Sequence, residues 1–186
     1  GDEMNKKRTD INWSSHVVTK IEHDGILIHK FAKPNTVCGS VIFINACGIM
    51  AVAGDYCNWI FCREFHPSSD GFVSDHYWCE KLKISSAQKP YDFDPKGTEK
   101  DIVERLGELE LGDDDGREYL EDLVLHLDEG EERYLVYAYD NLPDGRDHEF
   151  IPHTKKLNVL LEVIFDAFDE ICRRMPEVSN PPKETV

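Results

Sequence analysis

The amino-acid sequence predicts an α+β protein in which an N-terminal antiparallel sheet of about five strands packs against C-terminal helices. Three observations point there. Between Trp13 and Glu64, short apolar or alternating runs are broken by turn residues, the pattern of a strand meander. Beyond residue 98 the apolar residues recur at helical spacing instead. The last such run is apolar on so much of its circumference that it needs a sheet face and neighbouring helices to cover it. A length of 186 residues suits one domain, placed at 10–176 with a strand meander at 10–66, a mainly helical half at 74–176 and flexible termini at 1–9 and 177–186.

The elements follow in chain order. His16–Glu22 meets Ile26–Ala32 across His23-Asp24-Gly25, where Asp-Gly supplies the positive φ angles of a tight hairpin. The nearly continuous apolar run 37–45 reads as the central strand and meets Ile49–Ala53 through Ala46-Cys47-Gly48. Gly54-Asp55 then turns the chain into a fifth strand, 57–64. A loop through Pro67, Ser68, Ser69, Asp70 and Gly71 ends at Ser74, a good N-cap for a helix over 75–84.

A linker, 85–97, carries Pro90 and Pro95 and leads to Thr98-Glu99-Lys100-Asp101, a variant capping box. One helix then places Ile102, Val103, Leu106 and Leu109 together, and a second, after Gly112, does so with Leu120, Leu123, Val124 and Leu127. The segment 131–141 alternates like a strand at Leu135, Tyr137 and Tyr139, but its acidic first turn favours a helix. Leu142-Pro143-Asp144-Gly145 reads as a turn. Thr154 is the expected cap of the final helix, whose apolar face runs from Leu157 through Leu161, Ile164 and Phe168 to Met175, with Arg173 and Arg174 in its last turn and Pro176 as its stop.

Charge divides the chain. There are 21 Lys and Arg against 37 Asp and Glu, a net −16. Residues 1–90 hold ten acids and ten bases, so the whole excess lies beyond residue 90, and residues 92–132, with Asp113, Asp114 and Asp115, are −13 on their own. An acidic surface of this kind argues against nucleic acid as a partner of that half and suits a basic protein partner. The alternative reading is an acidic solvent face that keeps helices soluble. No apolar run is long enough to cross a bilayer. The N-terminal residues, with Lys6, Lys7 and Arg8 followed by Thr9-Asp10-Ile11, lack a secretory pattern, so a cytoplasmic setting with reduced thiols is expected. Of six cysteines, Cys38, Cys47, Cys62 and Cys172 lie among apolar residues and are expected in the core.

The run from Gly54 to Pro67, with Cys57-Asn58-Trp59-Ile60-Phe61-Cys62-Arg63-Glu64-Phe65-His66 at its centre, followed by Val73-Ser74-Asp75-His76-Tyr77-Trp78, resembles a group of uncharacterised proteins of bacteriophage and prophage genomes. Val163–Arg174 is similar to the same group. The resemblance implies a mobile-element origin and a cytoplasmic life, and brings no catalytic residue with it.

Reactive side chains are densest between Cys57 and Cys79. Zinc accepts Cys and His, and Cys62, His66, His76 and Cys79 are the candidate ligands of a metal-dependent or thiol enzyme. Spacing weakens this: Cys62 and His66, four apart on a strand, would be about 13 Å apart. No Cys-x-x-Cys pair is present, and no phosphate-binding glycine loop. Asp113-Asp114-Asp115-Gly116 fails as a calcium loop because Leu111 would fall at the first ligand position. Trp59, Phe61, Phe65, Phe72, Tyr77 and Trp78 could stack bases, but core packing explains such aromatics as well. Arg63, Glu64 and His66, where a strand enters a long loop, are the expected binding residues of the sheet half. Asp113, Asp114 and Asp115 are those of the acidic half. A non-enzymatic binding protein is the leading expectation.

Overall fold

Two tight turns organise the sheet. Asp24 and Gly25 have φ of 47° and 79°, and Cys47 and Gly48 have 53° and 81°. Positive φ at both central residues gives the turn whose twist matches paired antiparallel strands. In the computed structural model, which describes residues 7–36, 38–56, 58–85 and 89–175, the first turn joins β1 (Val17–His23) to β2 (Ile26–Ala32). The second joins β3 (Val41–Ala46) to β4 (Ile49–Gly54). With β5 (Trp59–Phe61) and β6 (Leu82–Ser85) these form a six-stranded antiparallel sheet in order β1-β2-β3-β4-β5-β6. The α+β reading therefore holds, with β3 and β4 at the centre of the sheet.

The sixth strand corrects the expected helix over 75–84. Ser74 does cap α1 (Asp75–Lys81), its side chain accepting from the Tyr77 N–H, but the helix stops at Lys81. Leu82–Ser85 extends instead and pairs with β5 across a bulge. The fifth strand is also shorter than expected. It ends at Phe61, and the buried Asn45 amide then takes over the backbone: it donates to the Phe65 carbonyl and accepts from the Phe65 N–H at 3.0 Å.

The chain divides into two compact units, one formed by residues 1–90 and 158–186 and the other by Tyr91–Leu157. The C-terminal helix thus belongs with the sheet, while the charge boundary after residue 90 coincides with a structural one. In the sheet unit, Phe31, Val41, Phe43, Met50, Val52, Trp59 and Phe61 alternate to one face and are buried. Against that face lies α5 (Val159–Arg174), with Leu161, Ile164, Phe165, Phe168 and Ile171 buried. Phe168 is its centre, with ring centroids 4.7 Å from Phe43, 4.5 Å from Phe65 and 5.1 Å from Trp78.

In the helical unit, β7 (Tyr91–Phe93) pairs with β8 (Lys155–Leu157), closing the segment where it leaves and rejoins the other unit. Between them lie α2 (Pro95–Glu108), α3 (Asp114–Leu125) and α4 (Glu131–Asp140). The segment 131–141 is thus a helix, as its acidic first turn argues. Ile102, Tyr119, Leu120, Leu123, Leu127, Tyr134 and Ala138 form this unit's core.

Two expected caps move. Helix α2 starts at Pro95, which takes the first position where a missing N–H costs nothing. Thr98, expected as its cap, is buried, and its hydroxyl lies 3.1 Å from that of Thr154. A Cβ on Gly97 would fall 2.6 Å from the Thr154 hydroxyl, so the first turn of α2 and the strand before α5 approach more closely than any other residue permits. Thr154 itself is committed to this contact. Asn158 caps α5 instead, accepting from the Leu160 N–H at 2.9 Å. The expected flexible segment 177–186 lies outside the described residues.

Candidate functional site

Strand β5 delivers the chain into the loop that carries Arg63, Glu64 and His66, and the structure does bring these three together. Asp70 holds them. Its buried carboxylate accepts from the Arg63 guanidinium at 2.6 Å through one oxygen and from the His66 backbone N–H at 2.6 Å through the other. The Arg63 guanidinium also stands 5.1 Å and 5.0 Å from the ring centroids of Tyr77 and Trp78. A cation so placed is held by an ion pair and two aromatic faces. Glu64 accepts from the Gly48 N–H at 2.9 Å and lies 3.3 Å from His66 Nε2, tying the loop to the β3–β4 turn. The chemistry available is that of a half-exposed imidazole oriented by a carboxylate beside a fixed guanidinium.

The zinc candidates are arranged differently. Cys62 is exposed, its N–H donating to the Lys81 carbonyl at 2.8 Å. His66 faces Glu64, and His76, largely exposed, lies 3.5 Å from Glu80 one helical turn on. Cys79 is buried in α1. Among the described residues no group of three or more His, Cys, Asp or Glu is placed to hold a metal ion, and Cys57 lies outside them. The four candidates therefore do not meet at one point.

The expectation of core thiols is corrected as well. Cys38, Cys47 and Cys62 are exposed, and Cys172 is half-buried. The physical reason is the ends of the strands: Cys47 occupies the turn between β3 and β4, and Cys62 lies one residue past β5. Burial, helped by the nearby Asp169 and Asp70 carboxylates, pushes the Cys172 thiol up to about 12, so it stays protonated. Trp59, Phe61, Phe65 and Trp78 are buried, which removes them as base-stacking platforms.

A second cluster was not legible in the sequence, because Arg8 falls in a segment read as flexible. Its guanidinium pairs with Asp75 at 2.7 Å, Asp169 at 2.7 Å and Asp166 at 3.3 Å. The Thr9 N–H and hydroxyl donate to Asp166 as well, at 2.8 and 2.5 Å. Burial works against the Arg8 charge, but hydrogen bonds to Asp75 and Asp169 outweigh it and raise its pKa. Asp169 moves up because burial outweighs Arg8. The available signal was Asp166 itself, an acid on the broadly apolar helix, since a buried carboxylate demands a partner. Next along α5, Glu170 pairs with Arg173 and Arg174, and Arg174 donates to the Trp13 carbonyl at 2.8 Å.

In the helical unit the three expected binding aspartates have separate fates. Asp113 caps α3, accepting from the Gly116 N–H at 3.1 Å, and pairs with Arg146, whose guanidinium covers Phe150 at 4.3 Å. Asp114 and Asp115 stand exposed in the first turn. With Asp114, Glu118 and Glu121 share the outer face of α3, and that face ends in Leu125, which is 74% exposed. Helix α4 presents Glu132, Val136 and Tyr139 in the same way. Sequence reading missed these apolar residues because a helical apolar stripe and a lone outward leucine look alike until the core is known. Among the described residues, no helix is long and apolar enough to cross a membrane. No protein-family model matches the chain, and neither a curated protein nor a solved structure does.

Proposed function

We propose that the chain is a non-enzymatic binding protein of the phage or mobile-element kind it resembles, and that its helical unit meets a basic protein partner. The observation that carries this reading is the placement of Leu125, Val136 and Tyr139 in the open, on the same helix faces as Asp114, Glu118, Glu121 and Glu132. A solubilising face has no need of exposed apolar residues. A docking face needs apolar anchors inside a polar rim. The charge of the unit, 21 acids against eight bases between Tyr91 and Leu157, would steer a basic partner toward it. Arg63, Glu64 and His66 have structural uses in the loop and are not needed for this reading.

The test is fluorescence anisotropy with amphipathic peptides rich in Arg and Leu, at about 50 and 300 mM salt, where exposed charge contacts weaken as screening grows. Binding should fall at the higher salt, fall at least tenfold in Glu118→Lys/Glu121→Lys, and fall further in Leu125→Ala. Absence of binding, or binding indifferent to both salt and charge reversal, would overturn the proposal.

A further inference from the structure

The face of the sheet turned away from α5 is built from isoleucine and alanine. Strand register aligns Ile21 with Ile28, Ile28 with Ile44, Ile44 with Ala51 and Ala51 with Ile60, one apolar row across five strands. A second row runs Thr19, Lys30, Ile42, Ala53. A third holds His23 with Ile26, and Ala46 with Ile49. Ile21 is 50% exposed, Ile26 42% and Ile49 40%, and the central members Ile28, Ile42, Ile44 and Ile60 are half-buried. The solvent side of an antiparallel sheet ordinarily alternates to polar residues. Here, among the described residues of β1 to β5, Lys30 is the only Lys, Arg, Asp or Glu on that side, in a chain with 37 acids.

From this we infer that the outer sheet face is the contact surface of a homodimer formed by stacking two copies face to face. Area, charge and shape all favour a second copy as the occupant. Strands about 4.8 Å apart and rows about 7 Å apart make a patch of roughly 500 Å² in projection, more over its corrugations. Doubled, it comes to about 1,000 Å², the threshold that a specific interface has to clear. A basic or acidic partner would leave its charges facing isoleucines without counterions, whereas a second copy brings none but Lys30, whose long stem lets the ammonium reach water. Side-chain size differs between the two central strands, with Ile42 and Ile44 on β3 set beside Ala53 and Ala51 on β4. A two-fold axis parallel to the strands and between β3 and β4 lays β3 of one copy over β4 of the other, so Ile42 and Ile44 meet Ala51 and Ala53.

The electrostatics make a distinctive prediction. Each copy carries −16, so association works against repulsion and should strengthen as salt screens it, the reverse of docking on the acidic helices. Sedimentation equilibrium of the full chain, from about 5 to 300 μM, tests this. The average mass should climb from 21.4 kDa toward twice that value, and do so at lower concentration in about 0.5 M than in 0.05 M salt. Ile44→Lys should hold the chain monomeric. Because Ile44 is central and its replacement could unfold the sheet, Ile21→Lys, at a half-exposed edge position, is measured beside it with circular dichroism as the check on folding. A mass fixed at 21.4 kDa throughout overturns the inference, as does a dimer that persists in folded Ile21→Lys/Ala51→Lys or that dissociates on adding salt.

Discussion

The two units of this chain solve the problem of a small core in opposite ways. The sheet unit is nearly neutral and aromatic: it holds all three tryptophans and packs Phe43, Phe61, Phe65, Phe165 and Trp78 around Phe168. It is also discontinuous, since the chain leaves at Pro90, returns at Asn158, and only then supplies the helix that covers the sheet. The helical unit is continuous and carries most of the net charge on helices whose core is Ile102, Leu120, Leu123 and Tyr134. The Asn158 N–H donates to the Pro90 carbonyl at 2.9 Å, so the two ends of the sheet unit meet where the helical unit is inserted. One unit depends on a contact between distant parts of the chain, and the other on neighbours. They should therefore fail separately.

The strongest way to break the comparison is at Phe168. Truncating a buried aromatic to alanine costs about 3–5 kcal/mol, a large fraction of a domain's stability. Urea unfolding of Phe168→Ala followed by tryptophan emission should show the sheet unit destabilised by that amount. Five of the seven tyrosines lie in the helical unit, so tyrosine emission at the same urea concentrations reports the other side. Coincident loss of both signals in the variant and the parent would mean that the units unfold as one, and the contrast drawn between them would not stand.

Arg8 is the next largest effect. The Asp166 carboxylate is almost fully buried and in Arg8→Ala would keep the backbone N–H of residue 8 and the Thr9 donors but lose its only cation. Losing the charged partner of a buried group costs about 2 kcal/mol or more, mostly from the carboxylate left behind. Tryptophan-detected unfolding should show this loss in the sheet unit alone. Arg8→Lys should restore part of it, because one ammonium cannot serve three carboxylates as the guanidinium does. A neutral Arg8→Ala would show the arm to be a passive contact.

What the sequence could and could not reveal follows from the range of the forces involved. Turn chemistry is local, so Asp24-Gly25 and Cys47-Gly48 placed their hairpins without reference to anything distant. Helical periodicity is local too, and α3 and α5 were legible from their stripes. What failed needed a partner from far along the chain. Leu82–Ser85 is a strand only because β5 offers an edge, and Tyr91–Phe93 only because Lys155–Leu157 returns to it. Thr154 looked like a cap until Thr98 claimed its hydroxyl. In the loop after β5, the adjacency of Arg63, Glu64 and His66 is visible in the sequence, but Asp70, which binds Arg63 and the His66 N–H, cannot be distinguished there from the other acids nearby.

Acid should separate the units further. His16 and His29 are almost completely buried in the sheet unit, and burial is the main reason that both are held below the usual value near 6.5. Lys20 and His66 add to this at His29. Once unfolded, each takes its proton near pH 6.5, while the folded protein refuses it until the pH is lower. In that interval the unfolded state binds more protons, so the full stability present above about pH 6.5 declines as pH falls through the folded values. The tryptophan midpoint in urea should drop between pH 7 and 5, and His29→Phe, which keeps the contact with Phe65, should flatten the drop. An unchanged slope in that variant would assign the acid sensitivity to other groups.

The smallest effect sets two electrostatic terms of the helical unit against each other. Asp114 and Asp115 lie among many like charges, and removing them relieves repulsion. They also stand in the first turn of α3, where the exposed N–H groups favour a negative charge by about 0.3–1 kcal/mol. Repulsion from acids beyond about 10 Å is largely screened at 0.1 M salt, whereas the helix end is within one turn. The local term should therefore win. Asp114→Asn/Asp115→Asn is expected to destabilise the helical unit by a few tenths of a kcal/mol at about 0.1 M salt, read by tyrosine emission, with the tryptophan signal unmoved. Screening both terms with about 0.5 M salt should shrink the difference toward zero. Stabilisation by the same pair would reverse the ranking, making the unit's charge a standing cost to its fold, of the kind a basic partner would relieve.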